Sequence, residues 1–340
     1  MTDPTTSKAR PFIQAEAFSP RSHPLLGNPC AVVLSSPHQQ PLSPTQRQLF
    51  SAWTNLSETT FLLPPTDSSL ADYKVHIHTT KRELPFAGHP TLCSARSWLY
   101  AQAKAKKARE EKDIKLASGD QRVITQECNI GLVKIRIEGK QGQQDPAGRL
   151  SLAAPGFIKF GPAEQGDVEA ICAALGVRRE DVLKAQWTDN GPGWCTLLLK
   201  SAQAVLEAKF SHKAPYNVGL VGPYKAGMPL LREAGLLPSD EVGEEEADVE
   251  DMGLDPAHFE VRAFHDELVD EDPVTGSLNA GIARWLIEGG LAPKKYVASQ
   301  GRMVGRRGRV YVEAERGEGG EETIWVGGEA GVVIEGEVNI

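Results

Sequence analysis

The chain has 340 residues, 45 acidic against 37 basic side chains, a formal net charge of −8 and a pI of about 5.6. That length suits two domains better than one core, and the acidic balance argues against nucleic acid or an anionic membrane as partner. No apolar run approaches the roughly 20 residues of a membrane span. The N-terminal residues carry no apolar signal segment, and the five cysteines lack CxxC spacing, so a reducing compartment, the cytoplasm, is expected.

Residues 12–34 read as two strands, Phe12 to Phe18 and Cys30 to Leu34, with Gly27, Asn28 and Pro29 as the turn. Ser43 followed by Pro44 supplies an N-cap and a first helical residue, so a helix is expected from there to about Asn55. The run Glu58 to Leu63 is β-branched and apolar and is stopped by Pro64 and Pro65, which puts Glu58 where a helix hands over to a strand. Residues 73–79 alternate, with Tyr73, Val75 and Ile77 on one face and His76 and His78 on the opposite, solvated one. A helix follows from Pro90 to about Lys104, with Leu92, Ala95 and Leu99 on one stripe. Residues 104–115 read as a charged helix end and loop. Val133, Ile135 and Ile137 form a half-buried strand, and the breaker-rich residues 139–149 form the linker. Two domains are thus expected, 1–140 and 149–340, with the last strands free to cross back to the first.

The second half repeats the style. Arg149 to Ala153 is a strand, Gly166 to Leu175 a helix closed by Gly176, and Cys195 to Lys200 a strand. The acidic residues 239–253 read as a mobile surface loop. Ser277 to Glu288 is a helix with Leu278, Ile282, Trp285 and Leu286 on one face, capped by Gly289 and Gly290. Strands around Val310 and Val312, Ile324 to Val326, and Val332 to Val338 close the chain.

One motif occurs twice at a constant offset. Glu83, Pro85, Gly88, Ala95 and Arg96 reappear as Glu271, Pro273, Gly276, Ala283 and Arg284. Each copy follows an alternating apolar strand and leads through a Pro/Gly turn into a helix, which reads as an internal duplication. Many strands and few helices in two similar halves argue for an α+β fold, two curved sheets each wrapped on a helix. The paired helix starts, residues 88–91 and 276–279, have unpaired N–H groups and partial positive charge, and would suit one carboxylate in a cleft between the halves.

Six segments stand in order along the chain: Gly27 to Pro29, Asn55 to Phe61, Pro85 to Thr91, Asp272 to Ser277, Gly301 to Arg306 and Gly327 to Ala330. Together, spanning about 11 to 338, they resemble the PhzF family of phenazine-biosynthesis isomerase-like proteins. The resemblance implies a diaminopimelate-epimerase-like fold of two pseudo-symmetric halves, each a barrel-like, mainly antiparallel sheet around a central helix. It implies a cofactor-independent isomerase, whose substrate is read as a small carboxylated metabolite, and favours a homodimer. Glu58 would be the acid/base, with His89, Asp272 and Ser277 beside it, and Gly88, Pro90, Thr91, Thr275, Gly276 and Asn28 would contact substrate. The stretches 100–120 and 239–253 look like insertions relative to compact members of the family.

The residues themselves leave alternatives open. A carboxylate entering a strand among Leu56, Phe61 and Leu62 should be partly desolvated, with its pKa raised toward neutrality; equally, Glu58 could be satisfied by local backbone. Asp272 precedes a proline and is biased to extended geometry; it could hold a substrate amine or steer protonation, or merely start a turn. Ser277 fits an N-cap as well as an anion site. His89 could donate to a substrate oxygen or titrate near neutrality, or sit as a half-buried cap. His76, His78 and His89 could suggest a metal, but no carboxylate or Cys completes a spaced ligand set. The helix-start turns carry no Cys, against a two-thiol racemase, and no dinucleotide or phosphate loop is found. The reading is a PhzF-like isomerase; the rivals are an amino-acid epimerase or racemase, and a non-catalytic binding or scaffold protein of the same fold.

Overall fold

The computed structural model describes residues 9–36, 39–108, 122–138, 148–211, 214–265, 271–317 and 320–340. Most of the expected linker (139–147) and of the expected charged loop (109–115) lies outside these residues. In chain order the elements are β1 (Ala9–Ala17), β2 (Asn28–Leu34), α1 (Pro44–Thr54), β3 (Glu58–Leu63), β4 (Tyr73–Thr79), β5 (Glu83–Leu84), α2 (Gly88–Ala108), β6 (Arg122–Cys128), β7 (Gly131–Ile137) and β8 (Leu150–Ala153). There follow β9 (Lys159–Pro162), α3 (Gln165–Leu175), β10 (Val182–Asp189), β11 (Trp194–Leu199), α4 (Ala202–Glu207), β12 (Asn217–Pro223), α5 (Met228–Glu233), β13 (Phe259–Phe264), β14 (Glu271–Asp272) and α6 (Gly276–Glu288). The chain closes with β15 (Lys295–Gln300), β16 (Gly308–Arg316), β17 (Glu322–Gly328) and β18 (Ala330–Asn339).

Two compact units result, and neither is one stretch of sequence. The first comprises 1–17, 29–153 and 328–340, the second 18–28 and 154–327. The boundary falls at 153/154 rather than in the breaker-rich 139–149, and β18 belongs with the first unit. Within that unit the strands run β18-β1-β2-β3-β4-β6-β7-β8, with β2–β3 and β4–β6 parallel. Within the second they run β9-β10-β11-β12-β13-β15-β16-β17, with β11–β12 and β13–β15 parallel. The order and the two parallel steps are the same. Each mainly antiparallel sheet packs on its motif helix, α2 in the first unit and α6 in the second, and also meets a further helix, α1 on β3 and β4 and α4 on β12 and β13. Leu92, Ala95 and Leu99 of α2 and Leu278, Ile282 and Leu286 of α6 are buried, each Leu or Ile contributing roughly 1.5–3 kcal/mol by leaving water.

Local chemistry sets the entry to the first unit's key strand. Ser43 Oγ accepts from Gln46 N (3.2 Å) while Gln46 Oε1 accepts from Ser43 N (3.0 Å), a capping box with Pro44 in the first turn. Asn55 ends α1 in the left-handed region, φ 56°, which Asn tolerates better than most residues. The chain reverses there, and Glu58 becomes the first residue of β3.

The duplicated motif is the same object in both units. Glu83 pairs with His78 and Leu84 with Ile77; Glu271 pairs with Phe264 and Asp272 with Ala263. Asp272 therefore stands where the first unit has Leu84. Each motif acid meets a nitrogen-bearing side chain two residues back along the neighbouring strand. Glu83 Oε1 lies 2.6 Å from His76 Nδ1, and Glu271 Oε2 lies 2.7 Å from Arg262 Nη2.

One expectation fails here. His76 and His78 do not sit on a solvated face. His78 is buried, with Nε2 accepting from Arg47 Nε (3.2 Å), and burial pushes it down to about 4. Period-2 alternation cannot register this, because α1 covers the outer face of β4 with Arg47 and Gln48. Glu83 is the carboxylate the two histidines share, though among the described residues no group of three or more His, Cys, Asp or Glu is arranged to hold a metal.

The acidic stretch 239–253 is a largely exposed loop, as expected, with one buried side chain. Glu246 is buried and pairs with buried Arg309 (2.7 Å), and its other oxygen accepts from Ala257 N. Nearby, Tyr224 Oη donates to Glu260 at 2.7 Å. Burial pushes the Glu260 carboxyl up to about 7, although its hydrogen bonds with Tyr224 and Ser299 pull it down. Between its ordinary 4.5 and about 7 the folded chain holds a proton here that the unfolded chain releases, so stability falls as pH rises through that window. Glu260→Gln removes this titration. The variant should gain on wild type in urea unfolding between pH 5 and pH 7 by on the order of 1 kcal/mol per pH unit. Parallel pH profiles would contradict this.

Candidate active site

In the first unit the candidate residues converge on the start of α2. Glu58 and His89 are both buried, and Glu58 Oε2 lies 3.3 Å from His89 Nε2. Gly88, His89, Pro90 and Thr91 form the first turn of α2, so the helix starts two residues earlier than its proline suggests. Thr91 Oγ1 donates to Ala87 O (2.8 Å) and accepts from Gln126 Nε2 (3.0 Å). Gln126 Oε1 in turn accepts from Tyr73 Oη (3.1 Å).

Behind this pair lie two thiols that are far apart in sequence. Cys30 and Cys93 are fully buried, and Cys30 Sγ donates to Ala31 O (3.4 Å). Burial pushes the Cys93 thiol well up, and Cys30 and the charges of Glu16 and Glu58 push it the same way. A thiol so placed is a poor nucleophile. Replacing Cys30 and Cys93 together by Ser should leave turnover within a few-fold of wild type while lowering stability by about 1–3 kcal/mol per buried hydroxyl. Abolished turnover in a folded double variant would restore a thiol mechanism.

In the second unit the candidates converge on the turn before α6. Asp272 is buried; Oδ1 accepts from Asn28 Nδ2 (3.0 Å) and Oδ2 from Thr275 Oγ1 (2.5 Å). Asn28 is the first residue of β2 rather than a turn residue, and it also donates to Val274 O (2.9 Å). Gly276 opens α6. The N-cap is Thr275, in extended geometry, and its side chain makes no cap hydrogen bond. Ser277 is therefore not the cap. It lies inside the first turn, where its Oγ accepts from Trp194 Nε1 (3.1 Å) and its carbonyl accepts from Asn190 Nδ2 (2.8 Å). With the Ser277 lone pair taken by the indole, its hydroxyl hydrogen points elsewhere, which suits a donor to a ligand oxygen.

Trp194, Asn190, Gln126 and Gln300 were not singled out by the sequence. Gln300 immediately precedes the Gly301 to Arg306 segment, which was the one available signal. For Trp194 and Asn190 there was none, since the residue they hold is more than 80 positions away.

The registers also give each catalytic candidate a counterpart. Thr59 pairs with His78 and Val218 with Phe264, the two residues that face the motif acids. Glu58, one residue earlier, thus corresponds to Asn217, and His89 corresponds to Ser277. The first unit carries an ionisable pair where the second carries an amide and a hydroxyl.

Two units of repeated strand order, each wrapped on a motif helix with polar side chains gathered at its start, define an epimerase-like α+β enzyme fold. The family model described as phenazine biosynthesis-like protein, PhzC-PhzF, matches residues 15–336, and the chain belongs to that family. It is a PhzF-type isomerase. It is 28% identical over 335 residues, 96% of this chain and 97% of the relative, to antisense-enhancing sequence 1 of Schizosaccharomyces pombe. It is 43% identical over 84 residues, 25% of this chain and 28% of the relative, to trans-2,3-dihydro-3-hydroxyanthranilate isomerase of Pseudomonas chlororaphis. The crystal structure of a PhzF-family phenazine biosynthesis protein from Bacillus anthracis superposes with a TM-score of 0.67 at 18% identity, covering 98% of this chain and 100% of that one. No helix among the described residues is long and apolar enough to cross a membrane.

Proposed function

We propose that the chain is a cofactor-independent isomerase that moves one proton between carbons of a small carboxylated metabolite, with Glu58 as base and then acid. Glu58 takes a proton from one carbon as that C–H pair shifts into a conjugated enolate or enamine. It then returns the proton to a second carbon on the same face. His89 holds the carboxylate. The starts of α2 and α6 share the substrate, with Ser277 and backbone N–H groups taking its carboxylate.

The observation that carries this reading is the asymmetry of the two units. The counterpart of Glu58 is Asn217, whose amide cannot accept a proton, and the counterpart of His89 is Ser277. A racemase or epimerase that works by removing a proton on one face and adding one on the other needs two bases, and the second base is missing from the equivalent position. The rival reading of a non-catalytic scaffold has against it a buried Glu58–His89 pair that contributes no ordinary surface role.

A metabolite screen in deuterium oxide tests the proposal, with trans-2,3-dihydro-3-hydroxyanthranilate among the first compounds because relatives carry that name. A compound that gains one deuterium with wild type and none with Glu58→Gln identifies substrate and base together. Inversion at a single carbon would favour the epimerase. Turnover should be unchanged by a chelator and the purified protein colourless; activity lost to chelator would overturn the cofactor-independent reading.

A further inference from the structure

The hydrogen bonds around the turn before α6 have only one possible direction. Gln300 is fully buried, and its side-chain amide lies against four groups. Its Oε1 is 3.0 Å from Thr275 N, a backbone group that can only donate, and 2.8 Å from Asn279 Nδ2. Its Nε2 is 3.1 Å from Asp272 O, a carbonyl that can only accept, and 3.0 Å from Thr275 Oγ1. The amide orientation is thus fixed at both ends, and both of its hydrogens are committed.

The consequence passes to Thr275. Its hydroxyl oxygen accepts from Gln300, so its own hydrogen must go to the remaining neighbour, Asp272 Oδ2 at 2.5 Å. The other carboxylate oxygen is settled independently. Asn28 Nδ2 donates to Val274 O and spends its second hydrogen on Asp272 Oδ1. Asp272 therefore accepts at both oxygens.

The first unit also ties its helix start to a glutamine, but through a different residue of the turn. Gln126 Nε2 donates to Thr91 Oγ1, and Thr91 donates onward to the backbone carbonyl of Ala87. Gln126 pairs in parallel with Tyr73 and Gln300 with Val261, whereas Tyr73 corresponds by register to Phe259, so the two glutamines occupy neighbouring rather than equivalent places. The first unit has Leu84 at the position of Asp272 and Ala87 at the position of Thr275, so its glutamine only fixes a helix start. In the second unit the relay ends on a carboxylate.

We infer that Gln300 is a positioning residue which, through the Thr275 hydroxyl, presents Asp272 as a hydrogen-bond acceptor at both oxygens, so that Asp272 receives a substrate N–H or O–H and does not supply a proton. This rests on the reading of Asp272 as a site residue and narrows its role. It leaves Glu58 as the group that delivers the proton.

Neutron diffraction from deuterated wild-type crystals tests the hydrogen directions without any substrate, and so stands or falls apart from the proposed reaction. The expected map has a deuteron on Thr275 Oγ1 aimed at Asp272 Oδ2, none on either Asp272 oxygen, and two on Gln300 Nε2. A deuteron on Asp272, or a Gln300 amide turned the other way, overturns the inference. The second arm uses kinetics on the compound that passes the deuterium screen. Thr275→Val keeps the shape and removes the donor to a charged acceptor, so kcat should fall by about 10- to 100-fold in a variant that still folds, with a melting temperature lowered by the lost buried hydrogen bonds. Thr275→Ser should lose several-fold less, because it keeps the hydroxyl. Gln300→Leu should resemble Thr275→Val in kcat with a smaller change in KM. Equal kcat for Thr275→Val and wild type would overturn the positioning role.

Discussion

Glu58→Gln should lower turnover by at least the roughly 10²–10⁴-fold that general acid–base catalysis supplies. The amide preserves the shape of the carboxyl group and can still meet His89 Nε2 across the 3.3 Å that separates the pair. What it cannot do is take a proton from carbon. Thermal stability should change little, because β3 is held by its backbone ladder to β2 and β4 and by the burial of Phe61 and Leu62. The measurement is initial rate, with deuterium incorporation scored in parallel, on the compound the screen identifies. A variant that turns over within a few-fold of wild type would remove Glu58 from the mechanism.

Arg262→Met should have the largest effect on stability, about 3–5 kcal/mol. Arg262 Nε and Nη2 hold Glu271 Oε2 at 2.9 and 2.7 Å, and Nη1 donates to the carbonyls of Val205 and Ala208 at the end of α4. Both partners are buried. Burial pushes the Glu271 carboxyl up, and Arg262 holds it back. Without the guanidinium a buried carboxylate and two carbonyls lose their donor. The folded variant would then keep Glu271 protonated above the range where the unfolded chain releases its proton, so its deficit should grow as pH rises and shrink toward acid. Replacing Arg262 and Glu271 together by Met should recover much of the loss, since breaking a buried pair costs more than removing it. Urea unfolding of the single and double variants at pH 5 and pH 8 checks both signs. A single-variant loss below about 1 kcal/mol would show that the pair is dispensable.

The parts of the fold set by neighbouring residues were legible in the sequence. Ser43 and Pro44 name the start of α1, Gly176 the end of α3, and the Pro/Gly turn with its helix could be seen twice because it is compact and repeated. Glu58 was legible as a strand entry because Pro64 and Pro65 bound the strand on the other side. The acidic stretch was legible as a surface loop, but not the burial of the Glu246 side chain within it, because its partner Arg309 is far away along the chain. His76 and His78 failed for the same reason, with α1 and Glu83 supplying the missing cover. Ser277 failed differently. Residue preference names Ser as a cap, but the extended backbone belongs to Thr275, and the Ser277 hydroxyl is held by Trp194. The site's support, from Gln126, Gln300, Asn190 and Trp194, consists of polar residues with no local signature, whose purpose appears only when strand register brings them to the helix starts.

A crystal structure with the substrate or an unreactive carboxylate analogue bound tests the central claim most directly. The account predicts one ligand touching the starts of both α2 and α6, its carboxylate on Ser277 and backbone N–H groups, with the proton-bearing carbon within direct or one-water reach of Glu58. A ligand bound away from those two turns, or Glu58 directed away from the bound carbon, would contradict both the site and the mechanism.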